Sequence, residues 1–286
     1  VTLEALKEMH LTPEDIQLIQ NDTKTCPDTG MAGASRSLYM DGNATIIAAN
    51  KLLAAMRKED GTLRTYDEMK AEGIETKYLG RYETNTTPGL CRLDPNTGIG
   101  DPTPAFTYCL NLAEVEVDTK TGKTTVLKFT CVDFVGRIGN IDAVNGQAYS
   151  GIMHGIGFAL KEDYADVKKH ANMFGAGTSY IKDVPDDINL IHIDGAISDG
   201  PFGSSGASEA FQASGHCAVL NGIYNACGVR IHEIPALPEK VKAGLDAIAK
   251  GEKPYEPKKY FLGSDMYEEL ENIKENPVQV GTQSFY

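Results

Sequence analysis

The sequence lacks the residue spacings with which proteins bind metals directly. None of its six cysteines forms a CxxC pair, and none of its six histidines forms an HxxxH or HExxH motif. These absences argue against a zinc ribbon, an iron–sulfur cluster or a protein-ligated metal within this chain. The scattered cysteines are therefore predicted to be free thiols in a reducing cytoplasm.

Signatures for nucleotides, membranes and secretion are missing as well. The sequence has no GxGxxG or GxxxxGK[ST] motif, no apolar run near the ~20 residues of a membrane span, and no signal peptide pattern at its N-terminus. Its net charge of −13 argues against nucleic acid or an anionic membrane surface as a partner. We therefore predict a cytoplasmic protein that binds neither.

The patterns that are present predict an α+β fold with mixed sheets and helices. The 286 residues, 41% of them hydrophobic, are enough to bury a large core. Strand and helix patterns alternate without regular βαβ units, which favours α+β over a doubly wound sheet. Strands are predicted at 106–117 and 123–135, forming a hairpin with a bulge near Leu112 and Ala113, and at 188–193. Helices are predicted at 43–57, 143–160, 207–227, 235–248 and 265–273. The helix at 143–160 has an apolar residue every four positions, which predicts a buried stripe, and the helix at 207–227 is predicted to end at the C-cap Gly228. Residues 60–103 are predicted to be an irregular, turn-rich excursion across the surface, and 276–286 an extended tail.

A glycine- and serine-rich stretch at 200–209 leads into the helix predicted at 207–227. Gly200, Gly203 and Gly206 permit positive φ and close approach of a ligand to the backbone. Serines and free amides at the start of a helix form an anion-binding cup, and the stretch places one carboxylate, Glu209, there. An acid in a first turn is also a plain partner of the helix dipole. The residues alone leave both interpretations open.

Two further loop-to-helix junctions have a similar character. Residues 31–38 are mostly small and precede a helix, and Arg36 is suited to bidentate contact with phosphate; a surface arginine on a solvated loop is the alternative. Residues 143–147 begin a helix whose glycines indicate close packing of another helix or of a ligand. An ordinary surface glutamine is the alternative for Gln147.

Three runs of sequence resemble a known family: 203–209 (GSSGASE), 215–231 (GHCAVLNGIYNACGVRI) and 235–241 (PALPEKV). They are similar to the C-terminal part of the molybdenum-binding region of the molybdenum hydroxylases, the xanthine oxidase family, and most similar to its bacterial aldehyde oxidoreductases. The resemblance covers essentially the whole chain and is strongest at 31–44, 140–163 and 200–243.

The resemblance implies a molybdenum cofactor, as molybdopterin cytosine dinucleotide, whose metal is held by the pterin dithiolene and not by side chains. It implies that Glu209 lies beside the molybdenum as the general base. The residues implied to bind the cofactor lie at the three junctions: Ser35, Arg36, Ser37 and Leu38; Ala143, Val144, Asn145, Gly146 and Gln147; and Ser205, Gly206, Ala207 and Ser208. We therefore expect the three junctions to meet around one ligand.

The implied reaction is the oxidation of an aldehyde to a carboxylic acid, with water as the oxygen source. Two alternatives stay open. One is a related hydroxylase of an aromatic N-heterocycle such as a purine or nicotinate. The other is a non-catalytic scaffold subunit in which Glu209 only caps a helix. Tungsten in place of molybdenum is left open as well.

The chain begins at Val1 in a helical pattern, which is typical of a fragment or processed subunit. We expect 1–286 to be the C-terminal portion of the molybdenum-binding region, with one division into two subdomains (about 1–105 with 200–286, and 106–199). The [2Fe–2S] clusters and the rest of that region are expected in an upstream segment or partner chain. The full enzyme is expected to be a homodimer.

Overall fold

The computed structural model describes residues 1–20, 22–84, 94, 96–100, 103–166, 168–253, 272 and 275–276. Among these residues, three strands and eight α-helices are defined: α1 (Thr2–Ala5), α2 (Ser37–Met56), α3 (Tyr66–Ala71), β1 (Tyr108–Val117), β2 (Thr124–Phe134), α4 (Ile141–Leu160), α5 (Met173–Ala176), β3 (Asp187–His192), α6 (Ser208–Ala213), α7 (Gly215–Cys227) and α8 (Pro238–Ala249). No helix in this part of the chain is both long and apolar enough to cross a membrane.

The strands form one mixed sheet in the order β1-β2-β3. β1 and β2 are the predicted antiparallel hairpin, whose turn closes through the Asp118 N–H and the Lys123 carbonyl. β3 pairs parallel to β2, and α4 lies in the connection between them. A small mixed sheet with helices confirms the predicted α+β class.

The bulge lies elsewhere than predicted. The register shifts between Glu114 and Val115, where Leu127 of β2 is the extra residue, and not near Leu112 and Ala113. The burial of β1 alternates without interruption. The change of pattern in the sequence arises because Leu112 lies on the outer face of the sheet, where a polar residue was expected.

The main core joins the inner face of the sheet to the helices. Phe129 of β2, Phe211 of α6 and Val219 of α7 are fully buried in it. The predicted stripe on α4 is confirmed: its three middle residues are fully buried and its two outer ones are half-buried against the same core (Ala148, Ile152, Ile156; Val144, Leu160). This core includes residues on both sides of position 200, and the division into two subdomains stays a prediction.

The prediction of a single helix at 207–227 is wrong. It is broken into α6 and α7 at Ser214, which has φ −124° and ψ 1°. The Ser214 hydroxyl accepts a hydrogen bond from Asn111 Nδ2 at 2.9 Å. The Gly215 backbone lies against Gly155 of α4, to whose Cα a Cβ at Gly215 would come within 3.3 Å. Tertiary contacts therefore override the helical pattern at this point.

The other helix boundaries differ from prediction by less than two turns, and one helix was not predicted. α2 begins at Ser37 instead of 43, and α8 begins at Pro238 instead of 235. α3 lies in a stretch predicted to be irregular, and its sequence signal is the capping box formed by Thr65 and Glu68. The helix predicted at 265–273 and the tail at 276–286 fall almost entirely outside the described residues.

Close packing of α4 on α6 predicts a sharp contrast between two glycines of the same helix. A Cβ at Gly151 would lie 2.8 Å from Phe211 C and 2.9 Å from Gln212 N, whereas a Cβ at Gly146 meets no atom within 4 Å. We expect Gly151→Ala to destabilise the full-length protein by about 1–3 kcal/mol through overpacking. Gly146→Ala should stabilise it by up to roughly 1 kcal/mol through helix propensity. Urea unfolding of the two variants checks both changes in stability. Equal unfolding midpoints for Gly151→Ala and Gly146→Ala would contradict the close packing of α4 on α6.

Candidate functional site

The stretch that ends at Glu209 is tied to the end of β2 by backbone hydrogen bonds. The Ser205 N–H donates to the Val135 carbonyl at 3.2 Å, and the Arg137 N–H donates to the Gly203 carbonyl at 2.9 Å. Gly203 has φ 86°, a left-handed conformation that glycine adopts without strain. The glycine-rich path into α6 is therefore fixed by the sheet.

Ser35 and Glu209 are in direct contact although they lie 174 positions apart in sequence. The Glu209 N–H donates to Ser35 Oγ at 2.9 Å. Gly206 lies against the same residue, because a Cβ on Gly206 would be only 1.4 Å from the Ser35 carbonyl oxygen. Ala34 and Ser35 both have positive φ (53° and 56°), which turns the chain toward this contact. Two of the three predicted junctions thus form one local structure.

The N-terminus of α2 begins beside this contact. α2 starts at Ser37, with Arg36 at the N-cap position and no side chain capping the first turn. The first N–H groups of such a helix are suited to bind an anion. Arg36 donates from Nε to the Met31 carbonyl at 3.0 Å, and also from Nη2, which holds the preceding loop to the helix. Ser37 and Leu38 are exposed.

The third junction, residues 143–147 in the first two turns of α4, is held by a polar network. Asn145 Oδ1 lies 2.8 Å from His192 Nε2, and His192 Nδ1 lies 2.7 Å from Asp133 Oδ2. Asp133 is almost completely buried, and this burial raises the pKa of its carboxyl group, which the hydrogen bond with His192 lowers in part. This network was not predicted from the sequence. The available signal was an acid at an inward position of a buried strand.

The first turns of α4 and α6 lie at the same end of the helical layer. Both helices run in the same direction, since Gly151 of α4 lies against Phe211, and Gly155, one turn later, lies against Gly215. α4 begins ten residues before Gly151 and α6 three residues before Phe211, so α4 extends about two turns farther toward this end of the layer. The predicted residues of this turn are exposed or half-buried (Ala143, Gly146 and Gln147; Val144 and Asn145).

Glu209 is exposed in this chain and borders a shallow groove of about 440 Å³. The groove is also lined by the start of β1 and by α6 and the residue after it: Thr107, Tyr108, Cys109, Ala210, Ala213 and Ser214. The contribution of β1 was not predicted, because it depends on how the sheet packs beside α6. The structure thus sets Glu209 at the edge of an open groove, between the sheet and the Ser35 junction.

A larger cavity of about 780 Å³ adjoins the 35–38 junction. Arg36 and Ser37 line it, together with one face of α2, the loop 27–32 and the segment 78–83. That segment can lie on α2 because of Gly80, where a Cβ would be 1.8 Å from the Ala44 carbonyl oxygen. The sequence predicts only an irregular stretch here, since a single glycine in such a region carries little signal.

The three junctions have the chemistry that a phosphate-bearing organic cofactor needs. Hydroxyl, guanidinium, carboxamide and backbone N–H groups are its hydrogen-bond donors. Glu209 is the one carboxylate among the residues predicted for the site. Because Gly206 lies so close to Ser35, there is no room for a side chain at position 206, and backbone atoms form this side of the site. Donors for phosphate on two sides and one isolated acid fit the predicted cofactor.

The fold and these junctions define a cofactor-binding domain, and comparison with known proteins gives its class. Residues 2–185 match the family model described as the molybdopterin cofactor-binding domain. The match includes the junctions at 35–38 and 143–147 and ends before Glu209.

Several relatives are similar to most of the chain. Aldehyde oxidoreductase of Megalodesulfovibrio gigas is 43% identical over 244 residues, which cover 85% of this chain and 27% of that protein. The crystal structure of the aldehyde oxidoreductase of Desulfovibrio desulfuricans superposes with a TM-score of 0.78 at 44% identity, covering 84% of this chain and 26% of that one. Probable hypoxanthine oxidase XdhD of Escherichia coli K12 is 28% identical over 87% of this chain and 28% of its own length.

The chain belongs to the molybdenum hydroxylases, the xanthine oxidase family, and is part of their molybdopterin-binding region. The resemblance recognised from the sequence is thereby confirmed. The chain spans about a quarter of the length of the relatives that it matches.

Proposed function

We propose that this chain forms part of a molybdenum-dependent hydroxylase that oxidises an aldehyde to a carboxylic acid with oxygen from water, and that Glu209 is its general base. The observation that carries the proposal is the contact of Glu209 with Ser35, which joins the one predicted acid to a second junction that we propose to bind the cofactor. Aldehyde is favoured as substrate because the aldehyde oxidoreductase relative is 43% identical and the hypoxanthine oxidase relative 28%.

The chain's own residues would hold the cofactor at three places. The open first turn of α2, with Ser35, Arg36, Ser37 and Leu38, would bind phosphate of a cytosine dinucleotide form. The first two turns of α4 would add the Gln147 carboxamide, with Asn145 held in place by His192. The Ser205 N–H is already bonded to Val135, so the cup at the 205–208 junction would draw on the amides of 206–208. When bound, the molybdenum supplies the two-electron oxidation and the site of oxygen transfer.

Glu209 has the features that a positioned base requires. Its backbone is fixed by the bond to Ser35, and the residue is exposed and lines the groove together with Tyr108 and Cys109. The side chain is therefore free to accept a proton from a group held by the cofactor without disturbing the fold. A helix dipole partner needs neither the groove nor the contact with a second junction.

Several parts of the proposal concern the protein beyond this chain. The remaining molybdenum-binding region, which would supply most of the substrate pocket, and the [2Fe–2S] domains, which would take up the electrons, lie in an upstream segment or partner chain. A homodimer of the full enzyme in the cytoplasm is part of the same proposal. No protein side chain is proposed as a metal ligand.

Anaerobic assays of the full-length enzyme test the reaction. With dichlorophenolindophenol as electron acceptor, we expect benzaldehyde to give benzoic acid in the absence of O₂, because water supplies the oxygen. The kcat/KM for benzaldehyde should exceed that for hypoxanthine. Faster hypoxanthine oxidation would favour the N-heterocycle alternative, for which the XdhD relative is the supporting observation. A requirement for O₂, or no turnover of either by molybdenum-loaded enzyme, would contradict the proposal.

A further inference from the structure

Two cysteine side chains meet on the inner face of the sheet. Cys109 of β1 pairs with Asp133, and Cys131 of β2 pairs with Asn111, so the cysteines are diagonal neighbours across the antiparallel hairpin. Their Sγ atoms lie 3.4 Å apart, and both thiols are free. We call Cys109 and Cys131 the cysteine pair. Their spacing in sequence does not predict this contact, because they lie 22 positions apart and form no CxxC motif.

The two thiols of the cysteine pair differ in their access to solvent. Cys131 is completely buried, with 0% of the residue exposed, among the apolar residues of the main core. Cys109 is half-buried and lines the groove at Glu209, beside Tyr108. A small solute that enters this groove therefore reaches the cysteine pair from the side of Cys109.

The contact between the two sulfur atoms also makes the thiols unequal as acids. The hydrogen bond with Cys131 lowers the pKa of the Cys109 thiol, although burial and the nearby Asp133 carboxyl group oppose this effect. The same hydrogen bond raises the pKa of the Cys131 thiol, and its burial raises that pKa further. Because the thiolate is the nucleophilic form of cysteine, Cys109 is the member of the pair that is suited to attack an oxidant.

We propose that the cysteine pair is a site of reversible oxidation by hydroperoxides, at which Cys109 reacts first and Cys131 then closes a disulfide. In the first step the Cys109 sulfur attacks one oxygen of the hydroperoxide and the O–O bond breaks. The other oxygen takes up the proton that the thiol has lost and leaves as water or an alcohol, so that Cys109 becomes a sulfenic acid. This proposal does not rest on the proposed function, because it requires only the two thiols and the groove.

The second step uses the neighbouring thiol. The Cys131 sulfur attacks the sulfur of the Cys109 sulfenic acid, the S–O bond breaks, and the hydroxyl group leaves as water with the proton of Cys131. Two thiols are thereby oxidised to one disulfide, and the hydroperoxide is reduced by the same two electrons. Formation of the disulfide protects Cys109 from further, irreversible oxidation to sulfinic acid.

The geometry of the cysteine pair favours a disulfide that is readily reduced again. The sulfur atoms must approach from 3.4 Å to the about 2.0 Å of a disulfide bond. Diagonal neighbours in a hairpin are farther apart than directly opposed residues, so the bond would be strained. Strained disulfides have the more oxidising potentials and are labile. Small thiols should therefore restore the reduced pair.

Peptide mapping of the full-length enzyme after peroxide treatment tests this site. The reduced enzyme is exposed to hydrogen peroxide for increasing times, its free thiols are blocked with iodoacetamide, and it is digested without reductant for mass spectrometry. Cys217, an exposed cysteine on α7, is the internal control. We expect a Cys109–Cys131 linked peptide that dithiothreitol removes, and loss of the Cys109 thiol about tenfold faster than that of Cys217.

Two variants assign the order of the steps. In Cys131→Ala no disulfide can close, so Cys109 should stop at the sulfenic acid and be labelled by dimedone. In Cys109→Ala the buried Cys131 should keep its thiol. Linked peptides from the unmodified enzyme decide the question even if a variant does not fold.

Several results would overturn the proposal. These are equal loss of the Cys109 and Cys217 thiols, a disulfide between Cys109 and any other cysteine, sulfinic acid at Cys109 without a disulfide, or dimedone labelling of Cys131 in Cys109→Ala. The peptide mapping requires no turnover. Failure of this site and failure of the proposed aldehyde oxidation are therefore distinguishable.

Discussion

Replacing Glu209 with glutamine in the full-length enzyme is expected to lower kcat for aldehyde oxidation by about 10²- to 10⁴-fold while leaving the molybdenum content unchanged. Glutamine has nearly the same shape, and the bond to Ser35 is made by the backbone N–H and survives the change. Only the ability to accept a proton is removed. Steady-state kinetics and elemental analysis on the same preparation check both parts.

A matched control separates this role from that of a helix dipole partner. Glu239 is an exposed acid in the first turn of α8, just as Glu209 is in the first turn of α6. Glu239→Gln removes a dipole partner of this kind, worth about 0.3–1 kcal/mol of stability, and should leave kcat unchanged. If the two variants behaved alike, Glu209 would be a capping acid and the scaffold alternative would stand.

Gly206→Ala is expected to give an enzyme with little molybdenum, whose activity falls in proportion to the metal that it has lost. A Cβ at Gly206 would be 1.4 Å from the Ser35 carbonyl oxygen and 2.6 Å from its carbonyl carbon. Because backbone atoms cannot move aside as a flexible side chain does, the two junctions must separate. Molybdenum per polypeptide and released nucleotide are the quantities to measure.

Gly139→Ala is the control for this variant, because a Cβ at Gly139 meets no atom within 4 Å. It should retain both cofactor and activity. The two site variants then differ in kind: Glu209→Gln keeps the metal and loses turnover, whereas Gly206→Ala loses both together. A fully loaded and active Gly206→Ala enzyme would show that the contact between 206 and Ser35 does not form the cofactor site.

Features set by local pattern were predictable from the sequence. The stripe on α4 follows from apolar residues spaced every four positions, and the hairpin follows from two strand-like runs around a turn that ends at Gly122. The predicted C-cap at Gly228 is confirmed by its φ of 78°. The residue types at the three junctions were likewise visible, because glycine and serine density before a helix is a local signal.

Contacts between distant segments were not predictable from local pattern, and the meeting of the junctions was expected only because of the resemblance to a known family. The contact of Ser35 with Glu209 joins residues 174 positions apart, and no local pattern specifies it. The break at Ser214 depends on Asn111 of β1 and on the packing of α4. Sequence periodicity also predicted the bulge at the wrong position, because that prediction assumes that the outer face of a strand is polar. Leu110 and Leu112 depart from that assumption, since both are exposed on the outer face of the sheet.

Metal and nucleotide analysis of the purified full-length enzyme tests the central claim most directly. If the three junctions hold a molybdenum cofactor of the dinucleotide form, elemental analysis should find molybdenum in a stoichiometric amount relative to polypeptide. Acid hydrolysis should release an equal amount of cytidine monophosphate. An active enzyme that contains neither molybdenum nor a pterin nucleotide would contradict the account.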